Sequence, residues 1–240
     1  MKKITGSFIL LFLPSACLLA QSNIDTTHHV TTTKISLDLD GARTAYHPNN
    51  EGCDYNENGG INKEEATQNR FSKKRGYGIA KKRSEDGKYY IGFIQPSGHF
   101  VSQTTVYNRH KAESDPDRYA DAEMIPYIAL TPNWQKRGIK NCDIAYVKNL
   151  DNSRESAAIF ADFSKNTDES KSEISLALAN TLDIAVSKKN VSSYDGKKKV
   201  KKYTGIANNT LKIYYFVHSG DGNGKTPEEI RSIARRLMGK

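Results

Sequence analysis

Between positions 34 and 40 the chain alternates, with Ile35, Leu37 and Leu39 apolar and Lys34, Ser36, Asp38 and Asp40 polar. A period of two marks a half-buried β-strand. The runs at 88–95, 99–107, 124–130, 142–149 and 210–218 are rich in β-branched and aromatic residues and are bounded by Gly, Pro, Asn and Asp. They too predict strands, and Pro96-Ser97-Gly98 predicts a hairpin between two of them. Two stretches carry helix signals. One spans Glu173 to Ile184, with Ser172 as its N-cap. The other spans Pro227 to Met238, where Thr226 and Glu229 form a capping box and Gly239 fits the end. Many strands, two peripheral helices and no strand-helix alternation predict a mainly β, α+β domain with a barrel-like core.

Composition changes the picture at the N-terminus. Lys2 and Lys3 precede a short apolar run from Ile4 to Leu13, and small residues follow at Ser15, Ala16, Ala20 and Ser22. This pattern predicts a secretory signal over 1–22, hence a secreted or periplasmic protein. A lipoprotein reading through Cys17 is the alternative. The run is too short to span a bilayer, and nothing later is apolar enough to do so. Residues 23–33, polar and Thr-rich, read as a flexible leader, and 34–240 as one domain with no internal repeat. Loss of the signal leaves Cys53 and Cys142, an even pair that predicts one disulfide in an oxidising compartment.

The stretch from Ala157 to Ile184 carries the chemistry. An apolar strand delivers Asp162 at its end, a polar loop follows, and Glu173 opens the expected helix. Two carboxylates on one such unit are what acid/base hydrolysis of a glycosidic bond needs: one protonates the leaving oxygen and one activates water. Ordinary solvated acids would give the same local sequence. A carboxylate in a first helical turn is stabilised as the anion, so Glu173 as general acid needs burial or a nearby negative charge. Asp162, beside Phe160 and Phe163, is open to an apolar pocket. The reading leans to Glu173 as acid and Asp162 as base.

Five blocks follow in order: LDLDGARTAYHP from Leu37, HFVSQTT from His99, DPDRYADAEMIPYIALTP from Asp115, CDIAYV from Cys142 and the Asp162–Glu173 unit, closed by YYFVHSGDG from Tyr214. Together they resemble the fungal-type chitosanases, glycoside hydrolase family 75. The resemblance covers most of 37–222. It implies an endo-acting enzyme that cleaves β-1,4 links between glucosamine units with inversion, using Asp162 and Glu173. The chain departs from the family pattern in having Phe163-Ser164-Lys165 after the Asp, Ser172 before the Glu, and a longer loop between them.

Other residues have two readings each. Asp38 and Asp40 flank Gly41, as an Asx-turn or as substrate contacts. Tyr46 and His47 can stack on and hydrogen-bond a sugar or build a corner. Tyr119, Asp121 and Glu123 combine an aromatic with acids, which suits a polyamine glycan. Trp134, the one tryptophan, is a sugar platform or core. Residues 54–65 fit a calcium-loop template through Asp54, Asn56, Asn58 and Glu65, although no incoming helix precedes them. No other metal or cofactor motif is present.

The formal charge is +9, lowered by two without Lys2 and Lys3, and such a protein repels cationic chitosan at long range. The charges are segregated, however. Acids gather at 113–123, and bases gather at 70–83 and 188–202, so an acidic groove on a basic body is possible. The basic bunches read as solvated loops or as contacts for anionic cell-envelope polymers. No nucleic-acid motif accompanies them. The alternatives to a chitosan hydrolase are a hydrolase of peptidoglycan-like glycan and a non-catalytic glycan- or envelope-binding protein on the same scaffold.

Overall fold

A computed structural model describes residues 28–168 and 170–239. The expected signal, Cys17 and the first part of the leader lie outside the described residues. Among the described residues there are eleven strands: β1 (His29–Thr32), β2 (Lys34–Asp38), β3 (Lys81–Arg83), β4 (Tyr90–Gly92), β5 (Tyr127–Leu130) and β6 (Ile144–Asn149). They continue with β7 (Glu155–Phe163), β8 (Lys171–Ser175), β9 (Val186–Ser192), β10 (Lys199–Ile206) and β11 (Leu211–Phe216). The helices among the described residues are α1 (Lys63–Gln68), α2 (Pro132–Lys136), α3 (Leu176–Thr181) and α4 (Pro227–Leu237). None is long and apolar enough to cross a membrane.

Seven strands form one curled half-barrel sheet in the order β1-β11-β6-β7-β5-β8-β2. The protein is therefore mainly β with an α+β organisation, as the period-two runs imply. β6 and β7 lie inside the sheet, and successive residues feed opposite faces. Ile144, Tyr146, Ile159 and Ala161 join one apolar cluster, closed by Ile230 and Ala234 of α4. Ala145, Val147, Ala158 and Phe160 join the other, closed by Leu178 and Ala179 of α3. A strand buried on both faces reads as a continuous apolar run, which is why 157–162 lacks alternation. Trp134 is fully buried in the second cluster, edge-on to Phe160 at 5.8 Å, so it is core.

Several expectations are corrected. The helix expected over 173–184 begins only at Leu176, with Ser175 as N-cap; its Oγ accepts from the Leu178 amide at 3.2 Å. Residues 171–175 instead pair with β2 in parallel register, placing Ser36 opposite Glu173. Residues 29–32 of the expected leader form an edge strand on β11. The basic segment 188–202 is a two-stranded ribbon, β9 with β10, rather than loop. The run at 99–107 makes only isolated bridges. Cys53 and Cys142 are both free thiols. They are held apart because the Cys53 amide bonds to Thr44 beside β10, whereas the Cys142 amide bonds to Phe160 at the entry to β6. Burial raises both thiol pKa values, Cys53 to about 12. The capping box of Thr226 and Glu229 forms on α4 as read.

Candidate active site

Asp162 stands near the end of β7, one residue past an irregularity in the register. The pairing of β5 with β7 steps from Ile128–Phe160 to Ala129–Asp162, leaving Ala161 unpaired. A bulge of this kind re-aims the side chain that follows it. Asp162 is 8% exposed. Its Oδ1 accepts from Thr105 Oγ1 at 2.7 Å, from the Thr105 amide at 3.2 Å and from the Phe163 amide at 2.7 Å. Its Oδ2 is buried and has no hydrogen-bond partner. Burial therefore dominates and lifts the pKa to about 6, against the lowering effect of those three bonds; the charge of Glu173 adds to the rise.

Glu173 projects from β8, is partly exposed, and accepts from Ser164 Oγ at 2.9 Å through Oε1. It sits on a strand, two residues before the N-cap of α3 and not in a first helical turn.

Asp38 and Asp40 come from the end of β2 and the turn after it. Asp38 Oδ1 accepts from the Asp40 amide at 2.9 Å, and Asp40 Oδ1 accepts from the Tyr46 hydroxyl at 2.5 Å. The Tyr127 hydroxyl donates to the Asp40 carbonyl at 2.8 Å. Gly41 makes the turn possible. Its φ is +82°, and a Cβ there would come within 2.1 Å of the Ala120 carbonyl oxygen. One carboxylate oxygen from each of Asp38, Asp40 and Asp162 falls within 4.8 Å of the other two. Burial holds the Asp38 and Asp40 carboxyls well above the usual range. The neighbouring acids, Asp162 for Asp38 and Asp38 for Asp40, push further. No Lys or Arg pairs with any of the three among the described residues. Such a cluster must keep protons or attract a cation, and its oxygens suit an ammonium or a hard divalent ion.

These acids line a single cleft of about 1450 Å3. Tyr77, Tyr107 and Phe163 stand on its walls, 57%, 37% and 40% exposed, although large apolar groups normally hide. Of the five cations in the lining, Lys73, Lys74, Lys81, Arg118 and Lys165, three lie against rings. Lys165 lies 5.8 Å from the Tyr77 ring centre, Lys81 5.5 Å from Tyr90, and Arg118 4.3 Å from Tyr107. The acidity of the groove comes from residues 38, 40, 54, 57, 162 and 173, with Glu113 the one lining acid from the 113–123 block.

Of the residues singled out in the sequence, the cleft gathers Asp162, Glu173, Asp38, Asp40, Tyr46 and Tyr119, with Asp54 and Asn58 of the calcium-template segment. Tyr46 is 1% exposed and wedged between Asp40 and Asp54, so it positions the acids rather than presenting a ring. Tyr119 is tied by its hydroxyl to the Glu113 carbonyl at 3.1 Å. His47, Asp121 and Glu123 are not in the lining. His47 meets His99 edge-on at 5.0 Å, Asp121 lies 3.8 Å from Arg43, and Glu123 accepts from Thr44 at 3.3 Å.

The segment that fits a calcium-loop template makes hydrogen bonds of its own. Asp54 Oδ1 accepts from the Tyr55 amide and from Asn58 Nδ2, both at 2.7 Å. Asn56 Oδ1 accepts from the His47 amide, and Glu65 caps α1 and pairs with Arg75 at 3.1 Å.

Sequence reading passed over Thr105, Tyr77 and Tyr107, named Ser164 and Phe163 only as neighbours of Asp162, and left Asp38 between two readings. For Asp38 a signal existed. It shares the polar face of the 34–40 strand with Ser36 and Asp40, and all three line the cleft. Compared with protein-family models and with curated proteins, the chain matches none.

Proposed function

We propose that the cleft hydrolyses a glycosidic bond in a polymer of amino sugars bearing free ammonium groups. The observation that carries this reading is the uncompensated carboxylate cluster under exposed aromatic walls, with a proton-holding Asp162 beside Glu173. Asp162 is buried and Glu173 is partly exposed, and these unlike environments divide the roles between them. Asp162, buried and with Oδ2 free of protein partners, is the group that retains a proton near pH 6. It acts as the general acid and gives that proton to the leaving glycosidic oxygen. Glu173, more open to water, takes a proton from the water whose oxygen bonds to the anomeric carbon. This assignment is the opposite of the sequence reading, which leans to Glu173 as acid and Asp162 as base. Asp38 and Asp40 face the substrate's ammonium, and the tyrosine and phenylalanine rings stack on apolar sugar faces. A net positive protein tolerates a cationic substrate because screening confines the basic body to about 10 Å, while the cleft floor acts at contact. The ordered resemblance of residues 37–222 to the fungal-type chitosanases supports the same reading.

The test is reducing-end release from soluble chitosan by the purified protein and by Asp162→Asn and Glu173→Gln. The expected outcome is turnover by the wild type, lowered by roughly a thousandfold or more in either variant. The wild-type kcat/KM should decline above pH about 6, as free Asp162 loses its proton. An inert wild type, or either variant at near-full rate, overturns the proposal.

A further inference from the structure

Residues 186–206 contain seven lysines and one acid, Asp195. They fold back as the ribbon of β9 and β10, which is hydrogen-bonded to no other strand of the sheets. The ribbon is nevertheless fixed to the body. Lys202 is fully buried, and its Nζ donates to the carbonyls of Gly52, at 2.8 Å, and Asp54. The Tyr203 amide donates to Cys53 at 2.9 Å, the Tyr194 amide to Asn49 at 3.0 Å, and Lys198 pairs with Glu51 at 2.6 Å.

Register decides what the ribbon presents. Lys199 faces Ser192, Lys201 faces Asn190 and Tyr203 faces Lys188, while Val200–Val191 and Lys202–Lys189 take the other side. Since Lys202 turns into the body, the first set points outward. Lys188, Lys199, Lys201, Asn190 and Ser192 are all exposed. Among the described residues none of these three lysines has a carboxylate partner. Like charges gathered on one strand face repel, so the ribbon gains when an anion crosses it. No ribbon residue lines the cleft.

We propose that this outward face binds a linear anionic polysaccharide, at a site separate from the cleft. Alternate strand residues stand about 6.6 Å apart, so the lysines make a ladder of roughly 13 Å, which suits a chain with regularly repeated anionic groups. Asn190 and Ser192 between them offer amide and hydroxyl groups to sugar hydroxyls. Single-stranded nucleic acid would need aromatic platforms for its bases. The one ring on this face, Tyr203, is already covered by Lys188 Nζ at 4.1 Å.

The experiment is fluorescence anisotropy of labelled polygalacturonate titrated with the whole protein at several NaCl concentrations. Saturable, salt-sensitive binding is expected. A variant carrying Lys188→Ser, Lys199→Ser and Lys201→Ser should bind at least about tenfold more weakly, with a salt slope smaller by about 3. Arginine at the same three positions should retain binding, as should Lys82→Ser with Lys136→Ser elsewhere on the surface. Absent binding, an unchanged serine variant or equal loss in the arginine variant overturns the proposal. So does tighter binding of single- or double-stranded DNA at the same salt. None of these readouts depends on hydrolysis.

Discussion

Replacing Asp162 with Asn should make the protein more stable at alkaline pH while disabling the proposed chemistry. The carboxyl's pKa rises from 3.8 to about 6 because Oδ2 is buried without a donor. Between those values the folded protein holds a proton that the unfolded chain has released. Wild-type stability therefore falls as pH rises through this window, by about 1.4 kcal/mol per unit, and the cost levels off above the folded pKa at about 3 kcal/mol. Asn keeps the shape and the Oδ1 acceptor for Thr105 and Phe163, and its amide donor replaces the orphaned oxygen next to Asp38 and Asp40. Near pH 3.5 the two proteins should be nearly equal. At pH 8 the variant should be ahead by up to about 3 kcal/mol, or roughly 6–10 °C in Tm for a domain of this size. Thermal unfolding of both proteins across pH 3.5–8 measures this difference. A gain that is the same at both ends of the range refutes the electrostatic argument, because it would then reflect packing. No gain at pH 8 refutes the claim that Asp162 is ionised at a cost.

Two further substitutions test the supports of the site. Tyr46→Phe removes the buried hydroxyl that donates to Asp40, and should cost about 1–3 kcal/mol at pH 7 in denaturant titrations. The loss should grow as pH rises and Asp40 gives up its proton; a loss that is the same across the whole accessible pH range would make Tyr46 a packing residue only. Lys202→Met leaves the Gly52 and Asp54 carbonyls without their donor, at about 2–3 kcal/mol, and should speed hydrogen exchange at the Tyr194 and Tyr203 amides that pin the ribbon. Unchanged exchange there would show that the ribbon does not hang on Lys202.

What could be read from the sequence was what local pattern decides. β6 and β11 lie inside the runs at 142–149 and 210–218, and α4 starts at its capping box, because each signal sits within one element. What could not be read was decided by distant partners. Ser-Glu-Ile-Ser-Leu-Ala-Leu from 172 suits a helix, but residues 34–38 lie beside 171–175 and draw them into the sheet, so Ser175 caps the helix instead of Ser172. The β9–β10 ribbon was hidden because its inward position is a lysine, Lys202, satisfied by carbonyls about 150 residues away in the chain. The same cause governs the acids. Phe160 and Phe163, the sequence neighbours of Asp162, hinted at an apolar setting. Its proton affinity is set by burial in an enclosure that also draws in Thr105, 57 residues earlier, and the acids at the end of β2. A position at a strand end is local, and Asp162 could be picked out as a candidate from it. A pKa belongs to the enclosure. The division of roles proposed for Asp162 and Glu173 therefore rests on neighbours in space and not on neighbours in sequence.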